Sequence, residues 1–242
     1  MTARYNIYFN GYENFKEGIA KLNSNYRDDY AEVLKVFEYS DPSSPSYCSS
    51  DMERAIQKAS KLISLKSMTA KPEIDDRNDI SEKERDLLDR KEYNDWVDDS
   101  YLLIGKARFY KHEFNEAAAL FEYCISAAND QGIKDEATIW LARVHNEKGN
   151  YNESLRILSD LGTGPESSKA FRFMYNSTLA DLYLKQKRYN EAVDPLRIAV
   201  DNASGKRRKY RLTFLLAQIY DLTNEKAQDR KSTRLNSSHV SQ

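Results

Sequence analysis

Glycine and proline are scarce, with 8 Gly and 5 Pro in 242 residues. A β-sandwich needs a turn signal about every 8–12 residues, so an all-β fold is excluded and helices become the default. Cysteine is scarcer still. Cys48 and Cys124 form no CxxC pattern and lie too far apart in sequence to indicate a metal site or a disulfide framework, and they do not fix the redox compartment. Charge of one sign is also missing: 37 Lys plus Arg stand against 38 Asp plus Glu. A polyanion-binding surface over the whole chain needs cationic excess, so no nucleic-acid partner is expected. No apolar run approaches the ~18 residues of a spanning helix, and the polar start MTARYNIYFNG is no secretory signal. What remains is 40% hydrophobic and 31% charged, a globular composition long enough for one or two domains and a sizeable core.

Apolar residues fall at helical spacing along most of the chain. Tyr5, Tyr8, Phe9, Tyr12, Phe15, Ile19 and Leu22 surround Asn10-Gly11, which reads as the end of one helix, a turn and a short second helix. A further helix is expected from about Tyr30 to Phe37, ending before the turn-rich Ser40-Asp41-Pro42-Ser43-Ser44-Pro45. Ser50 or Asp51 can cap the next helix, whose stripe is Met52, Ala55, Ile56, Ala59, Leu62 and Ile63. From Met68 apolar content falls away. The expected organisation is an N-terminal helical region over 1–67, a charged linker over 68–80, a repeat array over 81–229 and a tail over 230–242. Ser81 opens a capping box with Glu84 for a helix to about Lys91. The tail, RKSTRLNSSHVSQ, loses helical periodicity and is expected to be non-native or disordered.

Within the array a pattern recurs. Phe114-Asn115-Glu116-Ala117, Tyr151-Asn152-Glu153-Ser154 and Tyr189-Asn190-Glu191-Ala192 open successive second helices. A small residue, Gly105, Ala142 or Ala180, precedes each aromatic by the same interval and follows Ile104, Leu141 or Leu179. Close packing of paired helices demands that smallness. The pattern resembles the tetratricopeptide repeat, a pair of antiparallel helices of about 34 residues. The first unit fits through Tyr101, Ile104, Gly105, Phe114, Ala117 and Phe121, with Cys124 where the family prefers Ala. The third fits through Leu179, Ala180, Tyr183, Tyr189, Ala192, Leu196 and Ala199. The second fits through Leu141, Ala142, Gly149 and Tyr151 but departs at Ser154, Leu158 and Leu161, and a fourth opens with Leu216, Ala217 and Tyr220. The expected fold is therefore an all-α tetratricopeptide-repeat solenoid of helical hairpins with an additional N-terminal helical region.

Catalytic chemistry finds no anchor. Gly162-Thr163-Gly164-Pro165 lacks the phosphate-loop pattern, and Pro165 removes an N–H. His112, His145 and His239 lie far apart without metal-ligand spacing, and no GxSxG elbow occurs. Glu82-Lys83-Glu84-Arg85-Asp86 mixes signs as a solvated helix face does. No enzyme activity, cofactor or metal is expected. The basic run Lys206-Arg207-Arg208-Lys209-Tyr210-Arg211 reads first as solvated or paired with neighbouring acids.

The resemblance to tetratricopeptide repeats implies that the first helices line a groove for a peptide or partner helix. Carried over by position, the groove residues are Lys106 and Phe109, Arg143 and Asn146, and Asp181 and Leu184. The carboxylate clamp of the chaperone-tail version is missing, since its positions hold Leu102 and Lys106, then Trp140, then Met174 and Thr178.

Three stretches, TARYNIYFNGYENFKEGIAKL, VFEYSDPSSPSYCSSDMERAIQKASKLISL and KEYNDWVDDSYLLIGKARFYKHEFNEA, are similar to the N-terminal region of the gliding-motility and type IX secretion lipoproteins (SprE/PorW type) of Bacteroidetes. That resemblance implies a non-catalytic outer-membrane lipoprotein facing the periplasm, with ring and translocon components as protein partners. It implies membrane association only through a lipid anchor. No lipidation cysteine stands ahead of Thr2, so an internal start at Met1 and an incomplete array are expected. The alternative is a cytoplasmic tetratricopeptide adaptor or co-chaperone.

Overall fold

The computed structural model describes residues 3–67, 94–164 and 167–239, and among them every regular element is helical. The helices are α1 (Ala3–Asn25), α2 (Pro45–Lys66), α3 (Asp95–Tyr110), α4 (Phe114–Ala127), α5 (Gln131–Glu147), α6 (Tyr151–Leu161), α7 (Lys169–Lys185), α8 (Tyr189–Asn202) and α9 (Lys206–His239), with a short 3-10 turn at Glu38–Ser40. The fold is the expected all-α solenoid of helical hairpins. The expected linker over 68–80 and the helix from Ser81 lie outside the described residues. By compactness the chain divides into unit 1, Met1–Tyr26 with Asp41–Lys148, and unit 2, Arg27–Ser40 with Gly149–Gln242.

In unit 1 each helix packs on the next, and α3 also touches α1 and α5. Alternate helices thus share one face, as stacked hairpins require. The core is drawn from the anticipated stripes. Met52, Ala55, Ala59 and Leu62 of α2 are fully buried, as are Ala107, Ala117 and Phe121 of the α3/α4 hairpin. The small residue of that hairpin has a measurable cause: a Cβ on Gly105 would lie 2.7 Å from Cε1 of Phe121. In unit 2, α7 packs on α6 and α8, and α9 on α8. Ala180, Ala192, Leu196 and Ala199 fill that core.

Three turns between successive helices share a backbone device. His112, Gly149 and Lys187 each sit two residues before the aromatic that opens a second helix, and each has positive φ, at 61°, 75° and 57°. A left-handed residue reverses the chain sharply after a helix. Helix starts use separate caps: Asp130 accepts from the Ile133 N–H at 3.0 Å and Ser168 from the Phe171 N–H at 3.1 Å.

Four expectations are corrected. Asn10-Gly11 does not break α1, which is continuous. A Cβ on Gly11 would lie 3.2 Å from Cβ of Lys58, so this glycine serves close approach of α1 to α2 rather than a turn. α2 begins at Pro45, before Ser50 or Asp51, because proline suits the first helical turn. The fourth unit packs through Leu212, Leu215 and Ile219, while Ala217 and Tyr220 are exposed. Finally, Tyr30–Phe37 is not helical: its backbone groups are taken by side chains of α9. In the tail segment, α9 continues to His239. Extending a nucleated helix costs little per residue, and no Pro or Gly interrupts Lys206–His239.

Candidate partner-binding faces

The face of unit 1 shared by α1, α3 and α5 is centred on Lys106. Its Nζ lies 2.7 Å from Oε1 of Glu136 and over the rings of Phe15 and Trp140, 5.7 and 5.9 Å from their centroids. The Trp140 indole N–H donates to the same Glu136 oxygen at 3.2 Å, and the Arg143 guanidinium stands 4.5 Å from the Trp140 centroid. Glu136, Trp140 and Arg143 follow each other at helical spacing, so one side of α5 carries all three. Burial pushes the Glu136 carboxyl up, but Lys106, the Trp140 N–H and Arg143 outweigh it and the net shift is downward.

Two turns before Lys106 on α3, Asp99 is pushed up to about 6, first by burial and then by Asp98 and Asp130, with Lys106 pulling the other way. Tyr8 of α1 lies 5.1 Å from the ring of Trp96 and stacks on Tyr12 at 6.2 Å. Its phenol is pushed up by burial and by Asp99. This face sets aromatic walls around the Lys106–Glu136 pair, with the acidic Asp98 and Asp99 beside it.

The face of unit 2 formed by α7 and α9 is built around Arg211. The guanidinium bonds both carboxylate oxygens of Asp28 at 2.9 Å, the Val36 carbonyl at 2.8 Å and the Lys35 carbonyl at 2.6 Å. Gln218, two turns further along α9, accepts from the Leu34 N–H at 3.1 Å and donates to the Glu32 carbonyl at 2.8 Å. Between them Phe214 meets Tyr30 edge to face at 5.1 Å. From α7, Lys185 reaches the Ser40 hydroxyl at 3.4 Å and pairs with Asp181 at 3.2 Å.

The six residues expected to line a groove are placed unequally. Phe109 is fully buried, edge to face with Phe114 and Trp140, and presents nothing to a partner. Its side chain points between α4 and α5 instead of outward. Arg143, Asn146 and Asp181 are also buried, while Lys106 and Leu184 are partly exposed. Glu136, Asp99, Tyr8, Trp96, Lys185, Arg211 and Gln218 were not anticipated. Helical periodicity could have added several of these, since Asp99 shares a side of α3 with Lys106, and Arg211, Phe214 and Gln218 share one of α9. Arg211 also leaves the basic run: Lys206 to Tyr210 are exposed and Arg211 is buried.

Both cysteines are free and buried, and burial pushes their thiols up, Cys48 to about 11 and Cys124 to about 12. A thiol raised this way is inert. His112 stacks on Phe114 at 5.1 Å, with Nε2 3.1 Å from the Ser44 hydroxyl. Among the described residues no helix is long and apolar enough to cross a membrane.

Hairpins in which alternate helices share a polar and aromatic face define the class, a helical-repeat scaffold whose first helices meet other proteins. The chain belongs to the tetratricopeptide repeat-like domain family, whose model matches residues 46–222. No curated protein matches the chain.

Proposed function

We propose that this scaffold serves type IX protein secretion and gliding motility, as an outer-membrane lipoprotein on the periplasmic side that connects motor and ring components to the translocon. The observation that carries the reading is the likeness of three sequence stretches, Thr2–Leu22, Val36–Leu65 and Lys91–Ala117, to lipoproteins of that machinery. In unit 1 the three stretches touch one another. Lys21 of the first pairs with Asp51 of the second at 2.9 Å, Ser44 of the second meets His112 of the third, and Glu53 pairs with Lys111 at 2.7 Å. Tyr8 of the first lies against Trp96 of the third. Polar residues that generic hairpin packing leaves undetermined therefore depend on one another across the three stretches.

Partner capture is assigned to the first-helix faces, through the partly exposed Lys106 in unit 1 and Leu184 in unit 2. The buried Phe109, Arg143 and Asn146 support the unit 1 face from beneath, and the buried Asp181 supports that of unit 2. Helices α3 and α5 carry the unit 1 face, which α1 completes, and α7 and α9 carry that of unit 2. The test is deletion of the gene in its host, followed by assay of type IX cargo in the medium. Loss of secretion is expected, and normal secretion would refute the assignment. Fractionation adds a second criterion, because a wholly cytosolic full-length protein favours an adaptor role instead.

A further inference from the structure

The segment Arg27–Ser40 belongs to the compact body of unit 2 although it lies far from the rest of that unit in sequence. It lies on that unit as an irregular strap, with a turn at 30–31, a short run without regular structure over 33–35 and the 3-10 turn Glu38–Ser40. Leu34, Val36, Phe37 and Tyr39 are buried, while Lys35 between them is exposed. The alternation at Leu34, Lys35 and Val36 is that of an extended chain with one side down. Recognition of the backbone is by side chains. The Gln218 amide pairs with the Leu34 N–H and the Glu32 carbonyl, and Arg211 takes two successive carbonyls, those of Lys35 and Val36. The Asp28 carboxylate completes the Arg211 fork, and the Glu38 carboxylate stands 3.9 Å from Arg211 Nε.

Contacts of this kind do not require the segment to be covalently joined to the face it occupies. Backbone groups are common to all peptides, so Gln218 and Arg211 read extension and direction, while the apolar seats and the carboxylate read sequence. We propose that the α7/α9 face of unit 2 is a peptide-reading site whose resident ligand is the chain's own segment 27–40. The partner it fits is a peptide segment with a carboxylate, a turn, and then an apolar run, placed as Asp28, the turn at 30–31 and Leu34, Val36 and Phe37 are. Such a partner binds by displacing the resident segment. The effective concentration of a tethered ligand is high, so the resident sets a threshold that only a well-matched or locally concentrated partner crosses.

This inference rests on the scaffold reading only in treating the displacing peptide as part of a partner protein. The probe is a fluorescein-labelled synthetic peptide with the sequence of residues 27–40, titrated against the full chain and followed by anisotropy. Wild type, with its site filled, is expected to bind it weakly. The chain carrying Leu34→Asp and Val36→Asp, which unseats the resident, is expected to bind at least tenfold tighter. Adding Gln218→Ala to that chain is expected to abolish the gain. Asp28→Asn loosens the resident without touching the apolar seats and serves if the double variant does not fold, with an intermediate gain expected. A folded variant, by circular dichroism, that binds the peptide no better than wild type overturns the proposal. So does tight binding that survives Gln218→Ala. Failure of this exchange leaves the secretion phenotype of the deletion strain untouched as the separate measure of the scaffold role.

Discussion

Replacing Gly105 by alanine sets two known effects against each other at one buried point. Removing a mid-helix glycine stabilises by about 0.8–1 kcal/mol through helix propensity. The new methyl, however, would stand 2.7, 3.1 and 3.3 Å from three carbons of the Phe121 ring, against an optimum of about 3.5–4.0 Å. Whether the ring can give way decides the sign. Phe121 is fully buried and stacked on Trp140 with centroids 6.1 Å apart, so it has no free volume to turn into. Overpacking of a tight core costs about 1–3 kcal/mol, and a rigid aromatic neighbour places this site in the upper half of that range. The net expectation is a loss of about 1–2 kcal/mol. Both tryptophans, Trp96 and Trp140, lie in unit 1, so urea denaturation followed by tryptophan fluorescence reports the unit that carries the change. Adding Phe121→Leu opens the space and is expected to return about 1 kcal/mol of coupling in a double-mutant cycle. A rise in midpoint for Gly105→Ala, or a cycle additive within about 0.5 kcal/mol, would refute the steric account.

Three further outcomes follow from other sites. At the turn into α8, Lys187 holds φ 57°, a conformation that costs a non-glycine residue about 1–2 kcal/mol, so Lys187→Gly is expected to raise thermal stability by about 0.5–1 kcal/mol after glycine's own entropy cost. Gly149→Ala, at φ 75°, is expected to lower it by about 1 kcal/mol; scanning calorimetry of both variants checks the pair. The Asp99 carboxyl is pushed up to about 6, so the folded state holds its proton more tightly than the unfolded chain does. The cost of ionising it therefore builds up as pH rises from the ordinary carboxyl value of about 4 to about 6, is full above that, and is relieved as pH falls back through the same window. Asp99→Asn is expected to stabilise by about 1 kcal/mol at pH 7, after allowance for solvent screening, and by nothing near pH 4; urea midpoints at the two pH values measure the difference.

The hairpin architecture was legible because packing leaves a period in the sequence. Gly105 is small where α3 meets Phe121, Ala142 and Ala180 are buried, and most of the stripe of α2 is buried where spacing placed it. Legibility failed where a local signal had a long-range cause. Asn10-Gly11 has the composition of a turn, yet the glycine answers to Lys58 and Ala55 across a helix interface. Tyr30–Phe37 has helix-compatible residues, but its backbone groups find partners on α9 that no local window contains. The candidate faces were half visible. Position within a repeat pointed to Lys106, whereas Glu136, which compensates it, lies on the next first helix and is linked to it only by packing.

The seating of Asp28 on Arg211 joins residues 183 positions apart, and this has a kinetic consequence. During synthesis the segment 27–40 leaves the ribosome long before the helix that receives it exists. Its apolar side chains must wait, exposed to aggregation or to chaperones, until nearly the whole chain has been made. Closing so long a loop, were the intervening chain flexible, costs about 5 kcal/mol in entropy; prior folding of the α1 to α5 hairpins shortens the effective loop and lowers that cost. Unit 2 is therefore expected to complete last, with a slow phase set by capture of its earliest-made part. For the same reason a fragment comprising only 149–242 starts with an empty seat and an exposed apolar face, so expressing that region alone calls for supplying residues 27–40 with it.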